Sequence, residues 1–317
     1  MPIIHESTYS APKWLIGGHA QTIHPTLRRI PGLTPSTERI ELRDGDFLDI
    51  DWFITGKNKL AILTHGLEGN AQAKYMRGMT VALIKRGWDV LAWSFRDCSE
   101  EPNRLLSSYH SGKTDDLEHV IQHAITKRKY DQIDLVGFSL GGNLVLKYIG
   151  ERGETIHPII QRAVAFSTPC DLACSSHELS KWQNRIYMER FLKTLRAKIK
   201  VKHSKFPGSL DISDISKIRN FAQFDGRFTA PIHGFESAED YWKRSSSRPF
   251  LPNIKIPTLM VSAANDPFLG PRCYPYAEAI DHSYLHLEIP KQGGHVGFSG
   301  GKEYWSETRA AKFLSGV

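Results

Sequence analysis

"IDLVGFSLGGNLVLKYIG", residues 133–150, holds three segments of different character. Ile133, Leu135 and Val136 make a short apolar run like the end of a buried strand. From Asn143 onward, Leu144, Val145, Tyr148 and Ile149 recur at the spacing of one helix face. Between the two stands Gly137-Phe138-Ser139-Leu140-Gly141-Gly142, where the chain must reverse within a few residues. A Gly-x-Ser-x-Gly pattern alone is weak, because about one chain in ten of this length carries it by chance when each residue is near 7% of an average composition. The strand before it and the helix after it give it weight. In that context the turn forces the serine into a strained backbone conformation and lifts its hydroxyl above the sheet.

Outward from this turn, short apolar runs alternate with helical patterns. LAILTHG (60–66), DVLAWSF (89–95), IDLVGFS (133–139), RAVAFST (162–168) and PTLMVSA (257–263) read as strands, and YLHLEIP (284–290) as a sixth. Most are apolar at nearly every position, as parallel strands covered on both faces must be. Helical stretches fall at about 73–86, 115–127 and 143–150, the first stopped by Gly87. ERIELRDGDFLDIDWFI (38–54) instead alternates around Asp44-Gly45, the pattern of an antiparallel hairpin at a sheet edge. The expected architecture is α/β, with a mostly parallel, doubly wound sheet. The rhythm breaks once. Roughly 80 residues separate RAVAFSTPCDL from PTLMVSAAND, where about 2–6 would be ordinary. Trp182, Ile186, Met188, Leu192, Leu195 and Ile199 give this interval helical periodicity. It predicts a helical cap over 171–250 inserted into a core domain of 1–170 and 251–317. With no strand pattern of its own, the cap is not expected to fold alone.

A serine hydroxyl is a poor nucleophile until a base takes its proton. Behind such an elbow the partners follow in the order Ser, Asp or Glu, His, each just past a strand end. Asp266 follows TLMVSAAN, and His295 lies in KQGGHVGF, where Gly293 and Gly294 let the backbone present an imidazole. Ser139, Asp266 and His295 are therefore the expected catalytic residues. His295 serves as general base and then acid, and Asp266 fixes its tautomer. The rivals fit less well. His286 falls inside a strand pattern, while His282 and Asp281 precede that strand at the wrong end of the sheet. An oxyanion needs two backbone N–H donors. Leu140, directly after the serine, supplies one; the other is expected from Leu67 in THGLEG (64–69), in the loop after the third strand.

Several longer segments carry a more specific signal: GGHAQTI (17–23), LTHGLEGNAQAKYMRGM (63–79), WSFRDCSEEPNRLLSSYHSGKTDDL (93–117), GFSLGGNLVLKYIGE (137–151), SAANDPF (262–268) and GGHVGF (293–298). Through them the chain resembles the α/β-hydrolases, and within these the AB hydrolase-4 (YheT-like) family, nearly end to end. That family holds bacterial esterases and eukaryotic lipases acting on acylglycerols and phospholipids. The resemblance implies the α/β-hydrolase fold and hydrolysis of an acyl ester. What Arg96, Cys98, His110 and the segment His19-Ala20-Gln21-Thr22 do does not follow from chemistry; bracing of loops and contact with substrate both stay open.

Composition excludes other classes. No apolar stretch approaches the roughly 20 residues needed to span a bilayer, and the N-terminus lacks a basic segment followed by an apolar core, so a cytoplasmic location is expected. No Gly-x-Gly-x-x-Gly follows a strand, and Cys98, Cys170, Cys174 and Cys273 lack a second Cys/His pair at zinc-like spacing. No cofactor and no metal are expected. The formal net charge of +7 owes much to KTLRAKIKVKHSK (193–205). That run is either a solvated helix face or a patch drawn to an anionic membrane surface or acidic substrate; without interleaved aromatics it does not suggest nucleic acid. A nucleophilic serine excludes the dehalogenase and epoxide-hydrolase chemistries, which use an aspartate there. The remaining expectation is a serine esterase for medium- or long-chain acyl esters, with acylglycerols as the natural class. Thioester or amide hydrolysis on the same triad is the alternative. A noncatalytic binding protein fits less well, because drift would have spoiled at least one member of the triad.

Overall fold

In the computed structural model, which describes residues 2–27 and 32–316, the apolar runs become strands that shed side chains alternately to two faces. The strands are β1 (Ile3–Ile4), β2 (Ser36–Glu41), β3 (Phe47–Phe53), β4 (Lys59–Thr64), β5 (Asp89–Trp93), β6 (Gln132–Phe138), β7 (Ile160–Phe166), β8 (Thr258–Val261) and β9 (Leu285–Glu288). They form one nine-stranded sheet in the order β1-β9-β8-β7-β6-β4-β5-β3-β2. All neighbours are parallel except β2–β3 and β3–β5. The sheet is thus mostly parallel, with the expected hairpin turning at Asp44-Gly45 on one edge.

The helices are α1 (Gly18–Ile23), α2 (Lys74–Ile84), α3 (Thr114–Lys127), α4 (Leu140–Arg152), α5 (Leu172–Leu179), α6 (Arg185–Lys205), α7 (Phe221–Phe224), α8 (Ala230–His233), α9 (Ala238–Ser245), α10 (Tyr276–Ala279) and α11 (Trp305–Leu314). Alternation along the strands splits the core in two. Leu60 and Ile62 of β4, with Leu91 and Trp93 of β5, pack beside α3 and α4 through Val120, Ile121, Leu144 and Tyr148. Ala61, Leu63, Val90 and Ala92 face the other way, onto Met76, Met79 and Leu83 of α2 and Ala310 and Leu314 of α11. Each such leucine, isoleucine, valine or methionine side chain, once withdrawn from water, contributes about 1.5–3 kcal/mol. This fixes register, because a one-residue slip would exchange the two cores.

The short strand β1 adds itself to the far edge by pairing parallel with β9. Two residues are too few to carry a periodicity. With β1 counted, the Leu67 loop follows the fourth strand rather than the third.

Between β7 and β8 the chain runs through α5 to α9 with no strand among the described residues. The inner side of α6 sets Met188, Leu192 and Ile199 against Phe224 and Phe228. Trp182 and Ile186 do not join that stripe. They stand 86% and 78% exposed on the opposite side of the helix start, where helical rotation carries them away from Met188 and Leu192. The basic run is not wholly a solvated face either: Lys198 pairs with Glu68 at 2.7 Å and the buried Lys202 with Asp97 at 3.0 Å.

Candidate active site

Strand β6 ends at Phe138 and α4 begins at Leu140, leaving Ser139 alone to make the turn. Its backbone is held at φ 53°, ψ −120°, a conformation costly for a residue with a Cβ. Glycine is obligatory on either side. A Cβ on Gly137 would lie 2.4 Å from the Gly141 carbonyl oxygen, and one on Gly141 would lie 2.3 Å from the Thr64 and His65 carbonyl oxygens. The turn is compressed between its own first helical residues and the end of β4.

Asp266 and His295 follow β8 and β9, and both arrive at the same end of the sheet as Ser139. His295 Nε2 is 2.8 Å from Ser139 Oγ. His295 Nδ1 is 2.9 Å and 3.1 Å from the two carboxylate oxygens of Asp266. An ionised carboxylate can only accept, so Nδ1 carries the proton and Nε2 is left facing the serine hydroxyl as acceptor. The Phe268 ring covers the imidazole at 4.2 Å between centroids, and the Phe268 amide donates to Asp266 Oδ1 at 2.9 Å. His282 instead accepts the amides of Tyr284 and Leu285 within its own turn, and His286 lies half-buried in β9 against Phe313.

The segment that chemistry alone left without a role supports these two loops. Gln21 is fully buried. Its Oε1 accepts from the Gly293 amide at 2.8 Å and from Asn265 Nδ2 at 2.9 Å, while its Nε2 donates to the Leu15 carbonyl at 2.8 Å. Thr22 Oγ1 accepts the His295 amide at 2.9 Å and donates to the Gly18 carbonyl at 2.7 Å. Helix α1 therefore ties the aspartate loop to the histidine loop. His19 lies on its outer side, stacked on Tyr187 of the cap.

Leu67 and Leu140 both border the cavity that reaches Ser139, and a Cβ on Gly66 would lie 3.1 Å from Ser139 Cβ. Leu140 is the first residue of α4, so its N–H has no carbonyl within the helix to meet. The loop carrying Leu67 is fixed by His65, which donates from Nδ1 to the Gly66 carbonyl at 2.7 Å and accepts the Phe95 amide on Nε2 at 3.0 Å. Burial lowers the His65 pKa to about 3, keeping the ring neutral so that it can do both. The Gly66 amide is taken by the Tyr75 hydroxyl at 2.9 Å, and the neighbouring Glu68 carboxylate accepts from Tyr109 at 2.6 Å.

Ser139 stands where two cavities meet, and Leu67, Phe191, Phe268 and His295 border both. One runs beneath the helices between β7 and β8, with about 1120 Å³ of empty space, mouth included. Leu106, Leu140, Leu179, Leu195, Phe224 and Phe228 give it an apolar wall. The other opens towards α1 and the start of α6, with about 1570 Å³ counted the same way, past Ile23, Asn70, Lys74, Tyr187 and Arg190.

Arg96 is a brace. It holds Asp116 with two hydrogen bonds of 2.7 and 2.8 Å and Asp44 with one of 2.6 Å, joining the hairpin, α3 and the loop after β5. Cys98 is buried 3.1 Å from Lys198 Nζ, and burial pushes its thiol up to about 12, out of the range of a nucleophile. His110 lines the first of these cavities, its ring 4.7 Å from that of His233.

A strand–serine–helix elbow on a mostly parallel sheet, with an aspartate and a histidine delivered from later strands, defines the α/β-hydrolase class. The chain belongs to that family, whose model, described as the alpha/beta hydrolase fold, matches residues 61–301. It is 35% identical to an Escherichia coli protein named "Putative esterase YheT", over 94% of this chain and 90% of that one. It is 26% identical to human "Phospholipase ABHD3", over 94% of this chain and 75% of that one. With the yeast "Monoacylglycerol lipase" from Saccharomyces cerevisiae it shares 26% identity over 78% of this chain and 57% of the other. Among solved structures, the Pyrococcus furiosus esterase Pf2001 superimposes with a TM-score of 0.61 at 18% identity, covering 91% of this chain and 95% of that one, a likeness of fold.

Proposed function

We propose that the protein is a serine esterase that cleaves medium- or long-chain carboxylic esters, acylglycerols among them, through an acyl-enzyme. Ser139 Oγ bonds to the ester carbonyl carbon as its proton passes to His295 Nε2. Asp266 keeps the resulting imidazolium oriented and stabilised. The carbonyl oxygen becomes an oxyanion, held by the Leu67 and Leu140 amides. As that intermediate collapses, the bond to the leaving oxygen breaks and His295 returns the proton to the departing alcohol. Water then gives its proton to His295 and attacks the acyl carbon, and the carboxylic acid leaves with Ser139 restored.

The observation that carries this reading is the hydrogen-bonded row Ser139–His295–Asp266 at the mouth of an apolar cavity. The cavity suits an acyl chain, while the second cleft, where Asn70, Lys74 and Arg190 stand among apolar residues, suits the alcohol part. The names of the related proteins, an esterase, a phospholipase and a monoacylglycerol lipase, point to the same bond class. A fluorophosphonate probe should label the wild type at Ser139. A p-nitrophenyl ester series should show turnover rising from acetyl towards medium-length chains. Ser139→Ala should keep the fold and lose roughly three or more orders of magnitude in kcat, the residue being left to binding and the oxyanion donors. Retention of more than about a tenth of the wild-type rate would overturn the assignment, since losing a nucleophile is never that mild.

A further inference from the structure

Trp182 and Ile186, turned out to solvent at the start of α6, are not isolated. Trp14, Ile16, Ile23 and Leu27 are 67%, 81%, 50% and 73% exposed. Both groups flank one short loop. The position of a Gly18 Cβ lies 2.0 Å from the Asn265 carbonyl oxygen, and Asn184 Nδ2 donates to the Pro267 carbonyl at 2.7 Å. The contact between His19 and Tyr187, 3.2 Å from Nδ1 to the hydroxyl, joins the two segments directly. Six of the ten large apolar side chains exposed among the described residues thus gather around a single edge. A soluble surface seldom concentrates them so; an apolar patch rimmed by polar groups marks an interface.

Cations accompany the patch. Ile186, Arg190 and Lys193 follow one another at helical spacing along one side of α6, with Trp182 in the turn just before it. Lys13 and Arg185 stand exposed beside Trp14 and Ile186, and Lys74 is exposed across the cleft. The carboxylates of this stretch are already engaged: Glu178 by Lys181 at 2.7 Å and Glu189 by Arg196 at 2.9 Å. The surface is therefore apolar with a net positive surround. Tryptophan adds a preference of its own, since an indole rests well where apolar and wet regions meet. The patch also borders the route to the serine. Ile23, Lys74, Tyr187 and Arg190 line the second cleft, which opens on Ser139 and His295.

We propose that this rim, formed by residues 13–27 and 181–193, docks the enzyme on an anionic lipid surface, with the cleft facing the lipid so that esters pass from the membrane to Ser139. No helix among the described residues is long and apolar enough to cross a membrane; the attachment proposed is peripheral and reversible. The 193–205 run is not the main anchor, because Lys198, Lys202 and Lys205 are spent on the core domain. The proposal rests on the esterase reading only for what is turned over; adsorption is measured apart from turnover.

The test is flotation of full-length Ser139→Ala protein with vesicles of phosphatidylcholine containing phosphatidylglycerol. The parent should float with these vesicles, and adding Trp14→Ser and Trp182→Ser should lower the bound fraction at least about tenfold, as expected for loss of two interfacial anchors. In the Ser139 background the same two tryptophan changes should leave hydrolysis of a soluble short-chain ester within about twofold, because neither side chain reaches the site. Lys13→Glu with Arg185→Glu should weaken binding to the anionic vesicles and leave it unchanged on pure phosphatidylcholine. Undiminished flotation of the tryptophan variant, or no flotation of the parent, overturns the proposal. So does a concentration-dependent dimer, seen by sedimentation without lipid and abolished by the tryptophan changes, since a second copy would then be the occupant. Flotation as expected from a protein that labels with no fluorophosphonate and hydrolyses no ester would overturn the esterase reading alone.

Discussion

Replacing Gln21 by leucine tests whether α1 is part of the catalytic apparatus or only of the fold. The side chain is fully buried and makes three hydrogen bonds, to the Gly293 amide, the Asn265 amide group and the Leu15 carbonyl. Leucine fills nearly the same volume and satisfies none of them. Orphaned buried groups cost about 1–3 kcal/mol each; with Asn265 part-exposed, a loss of about 3–5 kcal/mol is expected, within a typical total of about 5–15 kcal/mol. The variant should still fold. Its histidine loop, however, would be left with the Thr22, Asn265 and Ser167 anchors, at His295, Gly294 and Val296. Misplacing a catalytic group by about 1 Å can cost about a hundredfold. A fall in kcat of about ten- to a hundredfold, with KM little changed, is therefore expected for a soluble short-chain ester.

Urea unfolding and steady-state kinetics on the same preparation separate the two effects. Gln21→Glu keeps an acceptor for Gly293 and Asn265 and should recover part of kcat. If Gln21→Leu lost the expected stability but turned over at the wild-type rate, the hydrogen bonds would hold the fold without positioning His295. If neither quantity moved, the bonds would carry no free energy and the reasoning from burial would fail.

Two further expectations concern the cap. Leu195→Glu puts a carboxylate on the wall of the apolar cavity and should reduce turnover of long-chain p-nitrophenyl esters at least about tenfold relative to acetate, since one buried charge outweighs several methylenes; equal losses at all chain lengths would remove this cavity from acyl recognition. Asp225 is pushed up from 3.8 to about 6 by burial, against the opposing hydrogen bonds from Thr229 and Trp242. Between about pH 4 and 6 the folded protein keeps a proton there that the unfolded chain has released, so this group's contribution to stability is full below pH 4 and lost as pH rises through 6, a difference of about 2–3 kcal/mol. Asp225→Asn should remove that portion of the slope in urea unfolding at a series of pH values, and parallel curves for the two proteins would refute it.

What could be read from the sequence followed burial and position. The six predicted strands were visible because both faces of each are covered, so nearly every residue is apolar. That Ser139, Asp266 and His295 meet at one end of the sheet could be anticipated because each lies in the turn or loop that follows such a strand, and the end of a strand is a place that local pattern can locate. Gln21 was not. Its partners, Asn265 and Gly293, lie 244 and 272 residues away, and a buried amide that braces backbone has no local signature. The side on which Trp182 and Ile186 lie was not legible either, for a different reason. Apolar residues at helical spacing identify a helix, but with Met188 and Leu192 on one side and Trp182 and Ile186 on the other, periodicity does not say which side meets protein.

The basic run on α6 shows why charge in a sequence is a poor guide to surface. Lys202 is 2% exposed; besides its 3.0 Å ion pair with Asp97 it donates to the Asn103 and Leu105 carbonyls. Lys205 reaches the Asn103 carbonyl at 3.0 Å and the Pro102 carbonyl at 3.1 Å. The loop they hold is built to receive them: Asp97 sits at φ 59° and accepts the Asn103 amide at 2.9 Å, and Asn103 in turn donates to Asp46 and to the Phe47 carbonyl, each at 2.7 Å. Burying an ammonium costs several kcal/mol unless its partners are in place. Helix α6 is therefore fastened along this loop, while beside α1 Tyr187 meets His19 and Asn184 donates to the Pro267 carbonyl. Cutting away residues 171–250 would leave Asp97 and Glu68 without their cations near Ser139. Loss of activity after such a deletion could not be ascribed to loss of a lid, and only point changes on the inner side of α6, such as at Leu195, separate acyl recognition from the integrity of the site.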